Sequence, residues 1–196
     1  MLKNLTIKTR LAFVIGLLCL ISLVVGLIGL RNLSTTNDAL KTVYNDRLVA
    51  TGQLSEVLTL IQQNQDALSK AASGPPEQLP AVIEEVDQRI GAISGKWGEY
   101  MATYLTPQEK LLAQTFAEHR KKSVDEGLKP VLAAFRAKDM PAAVASVHGG
   151  LSQTYLPVRE SMRALIQLQL DVGKSEYDAA IARFESAKML AIGLIV

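Results

Sequence analysis

Residue types that build other fold classes are scarce in this 196-residue sequence. Aromatic residues make up only 5% of it. Ala, Leu, Gln and Glu are plentiful, and this composition favours helices over a β-sandwich or barrel. There is one cysteine, Cys19, so the chain has no internal disulfide and no cysteine-rich metal site. We interpret Cys19 as a small apolar side chain.

An excess of charge of one sign is also lacking. The 21 basic and 19 acidic residues give a formal net charge of +2. A balance this close produces no long-range field that would hold nucleic acid. The one basic cluster, Arg120-Lys121-Lys122, lies in a helical pattern and is interpreted as a solvated helix face. We expect no nucleic-acid partner.

Patterns of catalytic residues are missing as well. His119 and His148 fall on different predicted helices, without the spacing of a metal site. The sequence contains no nucleophile elbow, phosphate loop or HExxH motif. We therefore predict a protein that is not an enzyme and has no metal, catalytic residue or cofactor.

Apolar residues are concentrated at the two ends of the chain. Residues 11–30 form an uncharged run of the length that crosses a bilayer as a helix. Lys3, Lys8 and Arg10 precede this run, which predicts a cytoplasmic N-terminus. A cleaved signal peptide is the alternative, but its apolar core would be shorter and small residues would follow it. We predict an uncleaved transmembrane helix over 11–31.

The C-terminal segment is apolar too. Residues 188–196 read Lys-Met-Leu-Ala-Ile-Gly-Leu-Ile-Val. They are too few to cross a bilayer as a helix. We interpret them as the start of a second transmembrane helix, truncated at Val196.

Between these ends, apolar spacing predicts four helices. In the first, steps of three and four form a heptad seam. The seam comprises Leu33, Thr36, Leu40, Val43, Arg47, Ala50, Leu54, Val57, Ile61, Asn64, Leu68 and Ala71. It stops at Ser73-Gly-Pro-Pro, where a helix cannot continue. The second helix extends from about Glu77 to Tyr104.

The third and fourth helices have recognisable starts. Thr106, Pro107 and Glu109 match a capping box with proline in the first helical position. Pro130 should bend the third helix, which ends near Lys138. Asp139 is the predicted N-cap of the fourth helix. Gly149-Gly150 and Pro157 weaken the fourth helix locally, but no stop signal precedes Met189.

Short loops between these helices predict an all-α, membrane-anchored, antiparallel up-down-up-down four-helix bundle. The predicted organisation is a cytoplasmic N-terminus over 1–10, a transmembrane helix over 11–31 and a periplasmic bundle over 32–187. The start of a second transmembrane helix follows over 188–196. We expect a protein of the bacterial inner membrane.

Several stretches of the sequence resemble the N-terminal sensory region of bacterial methyl-accepting chemotaxis proteins. They are Leu2-Lys-Asn-Leu-Thr-Ile-Lys-Thr-Arg-Leu, Val43-Tyr-Asn-Asp-Arg, Met101-Ala-Thr-Tyr-Leu-Thr-Pro-Gln-Glu-Lys and Tyr177-Asp-Ala-Ala with Arg183-Phe184. The resemblance extends over the whole chain. It rests on the order and spacing of these stretches, because no single one is specific.

The resemblance implies a homodimeric chemoreceptor in the membrane. Such a receptor binds a small-molecule attractant, such as an organic acid or amino acid, or a binding protein loaded with one. It would reach a cytoplasmic kinase complex only through C-terminal parts that this sequence lacks. Two alternatives are the sensor half of a histidine kinase or cyclic-dinucleotide enzyme, and a structural anchor that binds no ligand.

In the related aspartate receptor, the pocket lies at the dimer interface near the distal ends of the first and fourth helices, and arginines on the first helix hold the ligand carboxylates. This sequence departs from that pattern, because Lys70 is the only cation in the distal half of its first helix. The comparable region provides eight candidate ligand-binding residues. They are Asn64, Gln65, Ser69, Lys70, His148, Gln153, Thr154 and Tyr155.

Several of these polar residues have alternative interpretations. Asn64 on the seam is either a ligand contact or a polar residue that sets the register of a dimer interface. His148 is either a ligand contact or a surface histidine. For Arg47 a structural ion pair is expected, and for Arg159 a solvated position.

Overall fold

The computed structural model describes residues 7–42 and 47–195. Those residues divide between two compact units, one formed by Met1–Tyr44 with Gly173–Val196 and the other by Asn45–Val172. Sequence features at 1–6, at 43–46 and at Val196 lie outside the described residues.

The first unit contains one long apolar helix, α1 (Ile7–Thr42). Among the described residues, α1 alone is long and apolar enough to cross a membrane. Large apolar side chains between Leu11 and Leu30 are mostly exposed rather than packed inside the protein. Such exposure suits contact with lipid. The unit also contains the C-terminal part of α7 (Ser152–Ile195), a single continuous helix that includes Met189.

The second unit is an antiparallel four-helix bundle, as predicted. Its first two helical columns are α2 (Val49–Ala72) and α3 (Leu79–Met101). The third column consists of α4 (Pro107–Lys122), a π-helical segment (Ser123–Leu128) and α5 (Lys129–Arg136). The fourth consists of α6 (Met140–Ser146), a second π-helical segment (Val147–Leu151) and the start of α7.

The predicted turns are confirmed. Thr106 Oγ1 accepts from the Glu109 amide at 3.2 Å, and Glu109 Oε2 accepts from the Thr106 amide at 2.6 Å, which completes the capping box. Asp139 Oδ1 accepts from the Ala142 amide at 3.0 Å and caps α6. A single 3₁₀ turn, Pro76–Gln78, follows the Gly-Pro-Pro break.

The heptad seam of the first column lies inside the bundle. Ala50, Leu54, Val57, Leu68 and Ala71 are all buried. Over 50–71 the seam therefore faces the other three columns of the same chain. In α1, Leu33 and Leu40 are each 67% exposed.

The core of the bundle has two parts. The first is packed around Leu68, Val86, Leu132 and Phe135, and the second around Leu54, Phe116, Met162 and Leu165. Trp97 stacks at a tilt on Phe116, with 4.6 Å between ring centroids, at the edge of the second part. On α2 the change from the second part to the first falls between Ile61 and Leu68, where Asn64 lies.

Candidate functional site

A cavity of about 50 Å³ lies at the boundary between the two parts of the core. Apolar side chains from both parts line it, including Leu128 and Leu151 from the first and Ile93 and Val158 from the second. Its polar lining comes from three helical columns. These residues are Asn64 and Gln65 on α2, Arg120 and Ser123 on the third column, and Tyr155 on α7.

Asn64 is the most deeply buried polar residue of this lining. It is 5% exposed, and its Oδ1 is buried without a hydrogen-bond partner among the described residues. A buried amide oxygen without a partner costs about 1–3 kcal/mol. Because Asn64 is buried within one bundle, its side chain does not face a second copy of the chain, as the alternative of a register-setting residue in a dimer interface would require. It lies where a bound molecule could complete its hydrogen bonding.

Arg120 is a half-buried cation beside the same cavity. Its Nη2 donates to Ser94 Oγ at 2.8 Å, and the described residues provide no carboxylate that pairs with it. Burial lowers the pKa of its guanidinium. The prediction of a solvated basic face is only partly correct for Arg120, which is half-buried, and holds for Lys121 and Lys122, which are exposed.

The sequence contains little sign of this role for Arg120. Three basic residues in a row resemble an exposed helix face, and only the direction of each side chain separates the first from the other two. Ser123, one helical turn later, was also missed as a lining residue. Its spacing from Arg120 is the one local signal that places the two on the same face.

Tyr155 lines the cavity from α7, and Thr154 precedes it. Thr154 is buried, and its Oγ1 lies 3.2 Å from Ser123 Oγ and 2.7 Å from the Gly150 carbonyl oxygen. The guanidinium of Arg159 lies over the Tyr155 ring, 5.9 Å from its centroid. Arg159 is half-buried and has a buried Nε without a partner, so its expected solvated position is only partly correct.

The eight predicted binding residues separate into two groups. Asn64, Gln65 and Tyr155 line the cavity, and Thr154 reaches it through Ser123. The remaining four do not line it. Ser69 is half-buried, and Lys70, His148 and Gln153 are exposed.

Two π-helical segments pack against each other next to the cavity. A Cβ atom on Gly150 would lie 2.0 Å from the carbonyl oxygen of Glu126, and one on Gly127 would lie 2.9 Å from the Leu151 Cα. Both glycines are therefore required by close backbone approach. Pro130 favours the π-helical segment before it. In an α-helix the amide of residue 130 would donate to the Glu126 carbonyl, but proline has no amide hydrogen. π-Helical segments are frequent at functional sites.

A second buried polar cluster lies at the α3–α4 turn. Arg47 Nη1 donates to Glu109 Oε1 at 2.8 Å and to Gln169 Oε1 at 3.1 Å, and Gln169 Nε2 also donates to Glu109. The expected structural ion pair of Arg47 is confirmed. Burial raises the pKa of Tyr100, which adjoins this cluster, to about 12. Apart from Arg47 Nε, which is buried without a partner among the described residues, the side chains of this cluster bond to one another, so we assign it to structure rather than to binding.

Neither cluster resembles a metal or catalytic centre. Over 7–42 and 47–195, no group of three or more His, Cys, Asp or Glu residues is placed to hold a metal ion. The polar groups of the cavity lining are two side-chain amides, two hydroxyls and one guanidinium. They can recognise a small molecule by hydrogen bonds and charge.

Comparisons with known proteins agree with this arrangement. A family model described as "Tar ligand binding domain homologue" matches residues 1–173. The chain is also similar to "Methyl-accepting chemotaxis protein NahY" of Pseudomonas putida, with 28% identity over 199 residues. That alignment covers 99% of this chain but only 36% of the relative, so the chain spans about a third of the relative's length. No solved structure matches the chain significantly.

Proposed function

The chain belongs to the family of Tar ligand-binding domain homologues and is a chemoreceptor sensory module, and we propose that it detects a small organic acid or amino acid outside the cytoplasm. Binding would be signalled across the membrane to control chemotaxis. The observation that most supports this function is the cavity inside the bundle, where Asn64 Oδ1 has no hydrogen-bond partner and Arg120 has no carboxylate partner among the described residues.

The proposed site is the cavity together with the polar residues next to it on the first and fourth helical columns. Asn64, Gln65, Thr154 and Tyr155 belong to the cavity side. The other proposed residues, Ser69, Lys70, His148 and Gln153, would contact a larger ligand or a binding protein that reaches the exposed surface. The site thus involves both α2 and α7.

The binding signal would be transmitted along α7. This helix begins beside the cavity at Ser152 and is continuous to Ile195. A ligand that prefers one packing of the π-helical segments over another would shift the population between them, and a displacement of α7 would accompany that shift. Equal affinity for both packings would produce no signal.

The proposed placement retains the boundaries inferred from the sequence. Residues 1–10 would lie in the cytoplasm, 11–31 and the segment from 188 in the inner membrane, and 32–187 in the periplasm. A cysteine at Ser73, in a Cys19→Ser background, should react with an impermeant thiol reagent on intact spheroplasts. A cysteine at Lys8 is the matched control and should react only after lysis. The reverse pattern would overturn the placement.

The proposed partners are a second copy of the chain and, through segments beyond this sequence, a cytoplasmic kinase complex. A chemotaxis output is favoured over a histidine kinase or cyclic-dinucleotide enzyme because the relative it resembles is a methyl-accepting chemotaxis protein. The dimer would use surfaces other than the buried seam of α2. A predominantly monomeric chain in detergent at micromolar concentration would contradict the proposed homodimer.

A chimera tests the proposed function. Residues 1–196 are joined to the signalling region of a methyl-accepting chemotaxis protein, and kinase activity is followed with a panel of organic acids and amino acids. The parent receptor with its own sensory module is the control for effects of the compounds on the kinase itself. We expect at least one compound to change kinase activity in the chimera alone. A chimera with normal basal activity and no response to the panel would contradict the proposal.

A further inference from the structure

The chemistry of the cavity restricts the ligand more narrowly than the family does. Arg120 is a half-buried cation without a carboxylate partner, and burial opposes its charge. An anion bound beside it would offset that desolvation and form charge-assisted hydrogen bonds, which are about twice as strong as neutral ones. Ser94 Oγ already accepts from one guanidinium nitrogen, which holds the head group in place.

Asn64 provides the second observation. Its side-chain amide is buried with an unsatisfied oxygen, and the oxygen and nitrogen of an amide can exchange places by rotation of the group. It can therefore either donate to a carboxylate or accept from a water that accompanies the ligand. With Asn64 on α2 and Arg120 on α4, hydrogen-bonding groups reach the cavity from two helices.

The lining also discriminates against amines. None of the described residues that line the cavity is acidic. Asp66 is the carboxylate that acts electrostatically on Tyr155, but its side chain is exposed rather than part of the lining. An ammonium group brought into the cavity would lose its hydration without a compensating charge, a cost that a zwitterionic amino acid cannot avoid.

Size sets the last restriction. The cavity has about 50 Å³. Because a single water needs roughly 10–15 Å³, the cavity has room for about three to five waters. Acetate and propionate, with four and five non-hydrogen atoms, are of that size. Ile61, Ile90 and Leu151 supply apolar surface for a short alkyl chain.

We propose that this cavity, within a single protomer, binds a two- or three-carbon monocarboxylate that contacts Arg120 and Asn64. The inference rests on the proposed sensory function and specifies its ligand class. It places the ligand inside one bundle rather than between two copies of the chain. A wider ligand would have to displace the apolar residues at the boundary of the two core parts.

Calorimetric titration of the 196-residue chain in detergent tests this with three matched probes at constant ionic strength. Propionate carries the charge, propionamide removes it, and alanine adds an ammonium group to a skeleton of the same length. We expect saturable binding of propionate, and at least about tenfold weaker binding of both propionamide and alanine. Alanine binding as tightly as propionate would overturn the inference.

Two variants locate the bound propionate. Arg120→Gln removes the cation, and Asn64→Leu removes the amide while filling a similar volume. Each substitution should weaken the binding of propionate at least about tenfold. Asn64→Leu should not lower the melting temperature, because it replaces an unsatisfied buried amide by an apolar group. A loss of propionate binding in this variant would therefore not result from a loss of folding. Lys110→Gln, an exposed charge removal on the same helix as Arg120, is the control and should bind as the parent does.

The remaining outcomes are also decisive. Propionate binding that is unchanged in both variants places the ligand elsewhere and overturns the inference. No binding of acetate or propionate overturns it as well. If the chimera then responds to another compound, only the ligand class has failed and the sensory function stands; if it responds to none, both have failed.

Discussion

Arg47 and Glu109, which are 62 positions apart, form a buried ion pair with 2.8 Å between Nη1 and Oε1. Their side chains are 11% and 1% exposed. Glu109 also completes the capping box of α4 and accepts a hydrogen bond from Gln169 on α7. One carboxylate thus joins the segment before α2, the start of α4 and the middle of α7.

Glu109→Gln should strongly destabilise the bundle. Glutamine keeps the shape and some hydrogen bonds of the side chain but leaves Arg47 as a buried cation without a counter-charge. Removal of one partner from a buried pair costs about 3–5 kcal/mol. Thermal melting followed by circular dichroism should show a clear loss of stability. Glu160→Gln, on the exposed side of α7, is the control and should melt as the parent does. Equal melting temperatures of Glu109→Gln and Glu160→Gln would show that the Arg47–Glu109 pair contributes nothing to stability.

The same carboxylate should make stability depend on pH. Burial alone would raise the pKa of Glu109, but hydrogen bonds with Thr106 and Gln169 and the charge of Arg47 outweigh burial and lower it. A lowered pKa in the folded state stabilises the protein above the unfolded value of about 4.3 and ceases to do so as pH falls through the folded pKa. The melting temperature of the parent should therefore fall more steeply below about pH 5 than that of Glu109→Gln. Parallel plots of melting temperature against pH for the parent and Glu109→Gln would contradict the lowered pKa of Glu109.

Local signals in the sequence predicted local structure well. The Thr106–Glu109 box and the Asp139 cap depend on residues only three positions apart, so their geometry follows from the residue types. The period of the α2 seam likewise identified Leu54, Val57 and Leu68 as one buried face. It could not identify what covers that face, because a second copy of the chain and the other three columns would require the same pattern.

The cavity was only partly predictable, for a physical reason. Asn64 and Tyr155 were predicted because they lie in the region comparable to the pocket of the related receptor, and Asn64 also interrupts an apolar seam. Arg120 was not, since its burial depends on how α4 is rotated against α2 and α7. The π-helical segments arise from the fit of Gly150 against Glu126, two residues that no periodicity connects.

Lys138 is the one described non-glycine residue with positive φ, at 55°, and it lies just after the end of α5. The amide of Lys138 donates to Phe135 O at 3.1 Å and that of Asp139 to Ala134 O at 2.9 Å, the two bonds of a Schellman motif. Glycine adopts this conformation without the cost of about 1–2 kcal/mol that a side chain incurs. Lys138→Gly should therefore leave the free energy of unfolding unchanged or raise it. The matched Lys121→Gly, on the exposed side of α4, should lower it by about 1 kcal/mol. A loss at Lys138 as large as that at Lys121 would contradict the strain argument.

Gly149 and Gly150 are adjacent, yet alanine should have opposite effects at the two positions. From the sequence, the pair is predicted to weaken the fourth helix locally, and alanine at either position would then strengthen it. The structure supports that reasoning only for Gly149, which has no atom within 4 Å of an added Cβ and a negative φ. Gly149→Ala should therefore leave the stability unchanged or raise it by about 0.5–1 kcal/mol.

Gly150→Ala should instead separate the two π-helical segments, because its Cβ would lie 2.0 Å from the Glu126 carbonyl oxygen and backbone cannot rotate aside as a side chain can. Overpacking of this kind costs about 1–3 kcal/mol or more. Thermal melting of the two single variants measures the difference, and the double variant should behave like Gly150→Ala. In the chimera, Gly150→Ala should alter basal kinase activity more than Gly149→Ala does, since it changes the packing beside the start of α7. Equal melting temperatures for the two variants would mean that the segments have room to move apart, and the close contact would then have no part in setting the position of α7.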